Sequence, residues 1–335
     1  MRAKTVFSAL VTTALVIATG ACADLPYQNK SQVKSVRILA TKADLSFAHP
    51  GETVNLEALV WDGRDEPTPP MQLYWFPVPC TNPVGGQYYD CYPALEAAYP
   101  TPGVDISSQL VAGTTHQITI PETALDGVVQ APGLSGEPRV TSWQFMIICA
   151  GHVERKLRTT DHQENQAPFG CFGADGKELP IEDGYFGFMR VTVTQTSRNA
   201  HPKIGAIVQR GVAVEPGGGV WFYRCTKGAA EVFFRGNCDV VAMDVAYSDD
   251  DAEIDSTNVD ANGNSARETI YTDWFVTLGR FPEPRRIERD PFKGRPEYPE
   301  NLYEPPREPG RGIMWAVLHD NRGGTDWKSL PVEIR

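Results

Sequence analysis

Apolar and polar side chains alternate with a period of two along most of the chain, which is typical of half-buried β-strands. The segments with this alternation are 36–41, 54–60, 118–120 and 189–194. Segment 143–149 (WQFMIIC) is almost continuously apolar, as expected for a central strand. No helical period extends beyond short pieces such as 94–98. The pattern therefore predicts an all-β protein.

A second set of strands begins near Lys203. Its candidates are 204–214, 220–225, 232–235, 240–247, 269–278, 313–319 and 330–334. The last two flank a turn-rich string, 320–324 (DNRGG), and this arrangement predicts a hairpin. A polar stretch that ends in proline, 195–202 (QTSRNAHP), is the expected boundary between domains.

The strand count predicts two antiparallel β-sandwich domains of immunoglobulin type, at 35–197 and 203–335. Trp75 and Trp274 are the expected buried tryptophans on the third strand of each domain. The disulfide that joins strands B and F in antibody domains is not expected, because segment 53–61 contains no cysteine. The fold prediction therefore rests on strand number and alternation.

One segment interrupts the second domain. Residues 282–311 contain eight prolines, seven basic and seven acidic residues. Such a composition buries little apolar surface, so we expect an extended or partly disordered insertion. Two interpretations remain: a docking arm for a partner and a passive, variable insertion.

The N-terminus has the three parts of a secretory signal peptide at 1–21. Arg2 and Lys4 precede a 13-residue apolar run at 6–18, and Gly20 and Ala21 precede Cys22. Thirteen helical residues span roughly 20 Å, which is less than the ~30 Å hydrocarbon core of a bilayer. A cleaved leader is therefore favoured over a transmembrane helix.

Two cleavage modes compete. An ordinary signal peptidase would read Ala21-Cys22-Ala23 and cut before Asp24, whereas a lipoprotein peptidase would cut before Cys22, which is then acylated. We favour the second mode, although Thr19 occupies the usual leucine position of a lipobox. Residues 22–34 would then be a lipidated tether. Ala23 lacks the acidic character of an inner-membrane retention signal, which indicates the outer membrane of the cell envelope.

The charge of the chain limits the classes of partner that it can bind. The chain has 31 basic and 42 acidic residues. Removal of Arg2 and Lys4 with the leader leaves 29 basic residues against 42 acidic ones, a net charge of −13. Nucleic acid and anionic lipid surfaces require clustered basic residues. We therefore expect no nucleic-acid partner, membrane attachment through the lipid anchor alone, and other envelope proteins as partners.

Six cysteines remain besides Cys22, and an even set in an exported protein indicates disulfides. Six cysteines allow 15 pairings. Their grouping in twos along the chain favours the pairs Cys80–Cys91, Cys149–Cys171 and Cys225–Cys238.

Three strings carry a resemblance to a known group: 36–64 (VRILATKADLSFAHPGETVNLEALVWDGR), 271–281 (YTDWFVTLGRF) and 314–335 (MWAVLHDNRGGTDWKSLPVEIR). They resemble sequences of uncharacterised envelope lipoproteins of myxobacteria and their relatives. The resemblance covers most of the mature chain and implies immunoglobulin-like sandwich domains and an envelope location. It implies no activity.

The search for chemistry is mostly negative, because the G-x-S-x-G, H-E-x-x-H, P-loop and G-x-G-x-x-G motifs are all missing. His152 with Glu154, and His162 between Asp161 and Glu164, offer an acid–base or metal site in what we expect to be a solvated loop. The trio Tyr88, Tyr89 and Tyr92 is either a sugar-stacking patch or packing beside a disulfide.

A calcium loop is the remaining metal candidate. Asn258, Asp260, Asn262 and Gly263 match the first, third, fifth and sixth positions of a D-x-[DN]-x-[DN]-G loop. Asparagine at the first position and threonine at the twelfth depart from that pattern. An exposed acidic loop without a cofactor is the alternative.

The sequence thus predicts a non-enzymatic, lipid-anchored envelope protein that acts as a structural or assembly component of a cell-surface complex. A carbohydrate-binding or adhesive module, with or without Ca²⁺, is the second hypothesis. A hydrolase without a familiar motif is the third, and it requires titratable groups such as His152, His162 and His319 to converge in a pocket.

Overall fold

Antiparallel β-strands form almost all of the regular structure. The computed structural model describes residues 29–83, 86–128, 137–157, 166–226, 238, 240–259 and 263–335. The strands form two sandwiches, one on each side of the 195–202 stretch. None of the helices in the described parts of the chain combines the length and apolar character that crossing a bilayer requires.

The first sandwich packs a three-stranded sheet against a larger one. The smaller sheet has the order β1 (Val36–Ala43), β3 (Thr53–Asp62), β7 (Thr115–Thr119). The larger sheet has the order β2 (Phe47–Ala48), β11 (Gly184–Thr194), β8 (Arg139–Cys149), β4 (Gln72–Trp75), β6 (Val111–Ala112), and β5 (Cys80–Pro83) also pairs with β8. Outside these sheets lie helix α1 (Tyr92–Ala98), 3-10 turns at Tyr88–Cys91 and Ser107–Gln109, and a hairpin of β9 (His152–Arg155) and β10 (Phe169–Phe172).

The second sandwich has a similar plan. One sheet has the order β13 (Val212–Ala213), β12 (Ala206–Gln209), β15 (Val241–Ala246), β20 (Asn301–Tyr303). The other has the order β14 (Val220–Phe222), β22 (Thr325–Ile334), β21 (Gly310–Asp320), β18 (Ile270–Val276), β19 (Arg285–Arg289). A 3-10 turn at Asp249–Asp251 and a hairpin of β16 (Ile254–Val259) and β17 (Ser265–Arg267) complete this part of the chain.

The two larger sheets share one topology. In each sandwich a short early strand runs parallel to the last strand: β2 beside β11, and β14 beside β22. In the first sandwich, β11 pairs antiparallel with β8, which pairs with β4, the strand of Trp75. In the second, β22 pairs antiparallel with β21, which pairs with β18, the strand of Trp274. This is the strand order of immunoglobulin-type sandwiches. The predicted fold class, all-β with two immunoglobulin-like domains, is confirmed.

Each sandwich has its own core. Trp75 on β4 and Trp274 on β18 are fully buried, as predicted. Trp75 belongs to an apolar cluster of residues between 36 and 193, whereas Trp274 belongs to a cluster of residues between 204 and 334. The buried pattern on β18 alternates strictly, so every second residue faces the core and the residues between them face outward.

The outer face of the larger sheet in the first sandwich carries a further apolar cluster. It contains Phe145, Ile147 and Cys149 of β8, and α1 covers it. The chain forms the three disulfides expected from the sequence: Cys80–Cys91, Cys149–Cys171 and Cys225–Cys238. The first two lie within this cluster.

The structure of segment 282–311 differs from the sequence prediction. It contains β19, which pairs with β18, and β20, which pairs with β15. Glu288 and Tyr303 within it are buried. The expectation of a partly disordered insertion that buries little was wrong, because backbone pairing of β19 and β20 with other strands orders a segment rich in proline and charge.

The end of the expected tether is also ordered. Val276 N donates to Ser31 O at 2.8 Å, and Val33 N donates to Val276 O at 3.0 Å. The side chains of Ser31 and Val33 are buried. The predicted tether at 22–34 is therefore too long, because these residues pack against the second sandwich.

Candidate functional site

The outward face of the β18–β21 sheet forms the contact between the sandwiches. Trp315 on this face packs with Val33 and Leu39, and the half-buried residues around them complete a small cluster. These neighbours are Leu59, Trp61, Phe275 and Ile313. This interdomain cluster joins β1 and β3 of the first sandwich to β18 and β21 of the second. The two domains therefore share an apolar cluster in addition to their own cores.

Leu39 reaches this cluster through an irregularity in β1. Ile38 pairs with Val60 and Ala40 pairs with Leu59, so Leu39 has no partner on β3. One extra residue on a strand bends it and redirects a side chain. Leu39 is buried and contributes to the interdomain cluster. The bulge thus lets β1 supply side chains to its own core and to the interface.

Polar contacts fix the linker between the sandwiches. Arg198 forms an ion pair with Glu52 and donates to Phe47 O at 2.9 Å. The Arg198 guanidinium lowers the pKa of Glu52 to about 2. Asn199 Nδ2 lies 3.2 Å from Ser46 Oγ and donates to Asp320 Oδ2 at 2.9 Å. The linker is therefore bound to both sandwiches.

The β21–β22 turn inserts charged groups at the same junction. The Arg322 guanidinium lies 4.7 Å from the ring centroid of Phe47 in the first sandwich. It also pairs with Glu268 at 3.0 Å, and Glu268 is fully buried. Burial, followed by the negative charge of Asp320, raises the pKa of Glu268 to about 7, although Arg322 opposes the shift. Arg322 thus supplies the positive charge that this buried carboxyl faces.

A cleft opens beside the interdomain cluster, with a volume of about 550 Å³. Residues of β8 and β11 form an aromatic wall, which includes Trp143 and Phe188. The opposite wall belongs to the second sandwich and contains Asp273, His319 and Thr325. Both domains therefore contribute to one open site.

The polar wall is an ordered network. Arg285 donates from Nε and Nη2 to the two carboxylate oxygens of Asp273, each at 2.7 Å. His319 Nε2 lies 3.5 Å from Asp273 Oδ2, and His319 Nδ1 lies 3.1 Å from Thr325 Oγ1. Tyr271 stacks on the His319 ring at 4.9 Å between centroids. Burial is the main cause of a lowered pKa of His319.

The other histidine candidates do not join this network. His152 lies on β9 in the first sandwich, where its Nε2 is 2.6 Å from Glu154 Oε1. The expected solvated loop is wrong at this point, because β9 and β10 form a hairpin. Asp161, His162 and Glu164 lie outside the described residues.

Two further predicted sites, the lipidation site and the calcium loop, fall largely outside the described chain. Cys22, Asp260 and Asn262 are not among the described residues, and Asn258 is placed only as part of β16. Within the described ranges, no group of three or more His, Cys, Asp or Glu side chains is arranged to hold a metal ion. The lipidation and the calcium loop stay predictions.

The tyrosine trio is a packing element. Tyr92 is buried, and Tyr88 and Tyr89 are half-buried against the cluster around Cys91. Tyr88 stacks on Phe188 with ring centroids 4.0 Å apart. The trio therefore supports the aromatic wall of the cleft from behind.

The sequence did not identify Phe188 or Asp273 as site residues. Each occupies an outward position on an alternating strand, in FGFMR at 186–190 and YTDWF at 271–275. Alternation shows that such residues leave the core, but it does not show that two sandwiches bring them together.

Comparisons with known proteins add little beyond the fold. No protein-family model and no curated protein matches the chain. Among solved structures, the tandem Ig repeats of Dlar match at 9% identity and a TM-score of 0.22, over 90% of this chain and 98% of that one. Extracellular domains 3–5 of Drosophila OTK match at 12% identity and a TM-score of 0.21, over 93% of this chain and 100% of that one.

A third match is the dimeric latent PorU from Porphyromonas gingivalis, at 9% identity and a TM-score of 0.21, over 91% of this chain and 24% of that one. Similarities at this level support no argument about function. The strand order described above is what makes the chain a pair of immunoglobulin-like sandwiches.

Proposed function

We propose that the chain is a non-enzymatic envelope protein, anchored through acylated Cys22, that serves as a structural or assembly component of a cell-surface complex. Three disulfides suit an oxidising compartment outside the cytoplasm. The interdomain cluster and the bound linker suit a rigid spacer, because they hold the two sandwiches together without free joints.

The observation that carries the proposal is the surface of segment 282–311, which we call the docking arm. It is ordered by β19 and β20, yet it leaves four large apolar side chains exposed: Ile287, Phe292, Tyr298 and Leu302. Aromatic and aliphatic side chains of this kind are the usual energetic centres of protein interfaces.

The docking arm is held in place before any partner binds. Arg295 donates to Tyr247 O at 2.8 Å, and its guanidinium lies 4.1 Å from the Tyr247 ring centroid. Tyr247 in turn donates its hydroxyl to Glu288 O at 3.0 Å. A surface that is already ordered loses less conformational entropy on binding. The fitting partner is a folded envelope protein that offers an apolar patch.

Copurification from the native bacterium tests this function. The full-length protein, crosslinked in intact cells, is compared with a variant that carries Phe292→Ser and Tyr298→Ser in the docking arm. Val78→Ser with Val212→Ser is the matched control, because both valines are 69% exposed and lie outside the arm.

We expect the arm variant to lose its envelope partner while its melting temperature stays near wild type, since exposed substitutions usually change stability by less than about 0.5 kcal/mol. The control should keep the partner. Equal recovery from all three proteins would contradict a role for the arm.

A further inference from the structure

The cleft between the sandwiches has the features of a ligand site, which the assembly role does not require. We propose that it binds a neutral oligosaccharide, with a sugar ring against Phe188 and Trp143 and a sugar hydroxyl bonded to Asp273. This inference concerns a different surface from the docking arm and stands independently of it.

The aromatic wall supplies the apolar half of the recognition. Phe188 remains 42% exposed although its ring is fixed by Tyr88 at 4.0 Å and by the edge of Trp143 at 5.4 Å between centroids. A rigid aromatic ring that stays partly in water gains by burial against an apolar surface, and it loses almost no rotamer entropy. The C–H face of a pyranose ring is such a surface.

The polar wall supplies the other half. Arg285 occupies one acceptor site on each oxygen of Asp273 and fixes the carboxylate plane. Besides Arg285, Oδ2 faces His319 Nε2 at 3.5 Å, whereas Oδ1 keeps a second acceptor site for a ligand hydroxyl. His319 is held between Tyr271 and Thr325, and its ring edge lies next to the same carboxylate.

Charge favours a neutral ligand at this wall. The negative charge of Asp273 is balanced by Arg285, and burial disfavours protonation of His319. The wall therefore offers directed hydrogen bonds with no net charge. A fatty acid would cover the remaining acceptor site of Asp273 Oδ1 without bonding it, and desolvating that site would cost binding energy.

The shape of the cleft agrees with an extended ligand. Its volume of about 550 Å³ lies within the range of roughly 300–1,000 Å³ that is usual for small-ligand sites. The cleft is open at its rim, where Arg190 of β11 reaches Asn321 O at 3.4 Å.

The test uses the mature chain with Cys22→Ser, which keeps both sandwiches and removes the acylation site. Neutral oligosaccharides of four to six rings, built from glucose, mannose, galactose or N-acetylglucosamine, are the probes in calorimetric titrations. Palmitate is the apolar competitor. Phe188→Ala is the principal variant, and Trp221→Ala is its control, because Trp221 is an exposed aromatic residue of β14 that does not line the cleft.

We expect saturable binding of at least one oligosaccharide, a loss of affinity of tenfold or more in Phe188→Ala, and wild-type affinity in Trp221→Ala. Asp273→Asn should weaken binding while the circular dichroism spectrum stays unchanged. The proposal is overturned if no oligosaccharide binds, if Phe188→Ala binds as well as wild type, or if palmitate displaces the sugar and binds more tightly.

Discussion

Trp61 of the first sandwich and Trp315 of the second lie with ring centroids 5.0 Å apart, their planes inclined at 60°. Offset and tilted ring pairs of this kind contribute beyond the area that they bury. The pair lies in the interdomain cluster, so stability of either domain depends on contact with the other. The two sandwiches should therefore unfold as one unit.

Replacement of Trp315 by alanine tests this coupling. Trp315 is buried, and removing a buried tryptophan usually costs about 3–5 kcal/mol. We expect the midpoint of the denaturant transition to move to a lower concentration and the single transition to separate into two. Circular dichroism and tryptophan fluorescence follow both changes. Trp221→Ala, at an exposed position, should leave one transition near the wild-type midpoint. An unchanged single transition in Trp315→Ala would show that the interdomain cluster does not couple the domains.

Arg322 offers a second test at the junction. Arg322→Ala removes the cation that faces the buried carboxyl of Glu268. Without Arg322 the pKa of Glu268 rises above its value of about 7, so at pH 7 the carboxyl takes up a proton, and we expect a loss smaller than the ~3–5 kcal/mol of a charge that stays buried. The double variant Arg322→Ala with Glu268→Gln should recover part of this loss in urea titrations at pH 7. Equal stability of the single and double variants would mean that the carboxyl of Glu268 does not cause the loss of stability in Arg322→Ala.

The pH dependence of stability should reflect Glu288 on β19. Burial, followed by the negative charge of Asp244, raises the pKa of Glu288 from 4.5 to about 8, and the Thr272 hydroxyl opposes this shift. The folded protein therefore holds a proton that the unfolded chain releases near pH 4.5. This contribution to stability is complete below pH 4.5 and is lost as the pH rises towards 8.

Glu288→Gln is the corresponding variant, because an uncharged amide replaces the carboxyl. We expect it to match wild type below pH 4.5 and to exceed the wild-type free energy of unfolding by about 4 kcal/mol at pH 8, since the pKa rises from 4.5 to about 8 and one pKa unit corresponds to ~1.4 kcal/mol. Glu283→Gln, at a side chain that is 72% exposed, is the control and should follow the wild-type profile. Parallel profiles for wild type and Glu288→Gln would contradict the assignment.

The sequence predicted the parts of the fold that depend on local pattern. Alternation identified the long strands, the positions of Trp75 and Trp274, and the β21–β22 hairpin, because each reflects the two faces of a single strand. Strand β19 was missed, since its pairing with β18 compensates for a sequence rich in proline and charge. The bulge at Leu39 was missed for a related reason: register is a property of two strands.

The cleft could not be predicted from the pattern of single strands, because it depends on how the two sandwiches pack together. Phe188 and Asp273 are ordinary outward residues of their own sheets, and only the packing of one sandwich against the other places them in one cleft. No local pattern records which outward faces meet. The sequence thus predicted the two domains but not the site between them.

The Cys149–Cys171 disulfide should be the most important of the three for stability. Both sulfurs lie in the apolar cluster on β8 and β10, and 22 residues separate the two cysteines. Closing a loop of this length is worth about 3 kcal/mol in the chain-entropy model. The double alanine variant should lower the melting temperature more than the same change at Cys225 and Cys238, where Cys238 is only half-buried. A larger effect at Cys225 and Cys238 would show that burial does not decide the difference.

The proposed lipid anchor makes membrane attachment depend on one atom, the sulfur of Cys22. Cys22→Ser should block acylation and move the protein from the membrane fraction to the soluble fraction. A 1 M salt wash should leave the wild-type protein on the membrane, because a net charge of −13 after removal of Arg2 and Lys4 gives no electrostatic attraction to anionic lipid. Retention of Cys22→Ser in the membrane fraction would contradict lipid anchoring.

The short segment between Cys22 and the buried Ser31 also limits how far the second sandwich can lie from the proposed membrane anchor. Nine residues lead from Cys22 to Ser31, and at ~3.4 Å per residue they reach roughly 30 Å at most. Because Ser31 is bonded to Val276 and Phe281, acylation of Cys22 would hold this part of the second sandwich within that distance of the lipid surface. A fluorophore on a cysteine introduced at exposed Tyr223 should therefore show energy transfer to a headgroup acceptor that is stronger than in a variant with 20 Gly/Ser residues inserted after Asp24. Equal transfer in both proteins would show that the short tether does not set the distance.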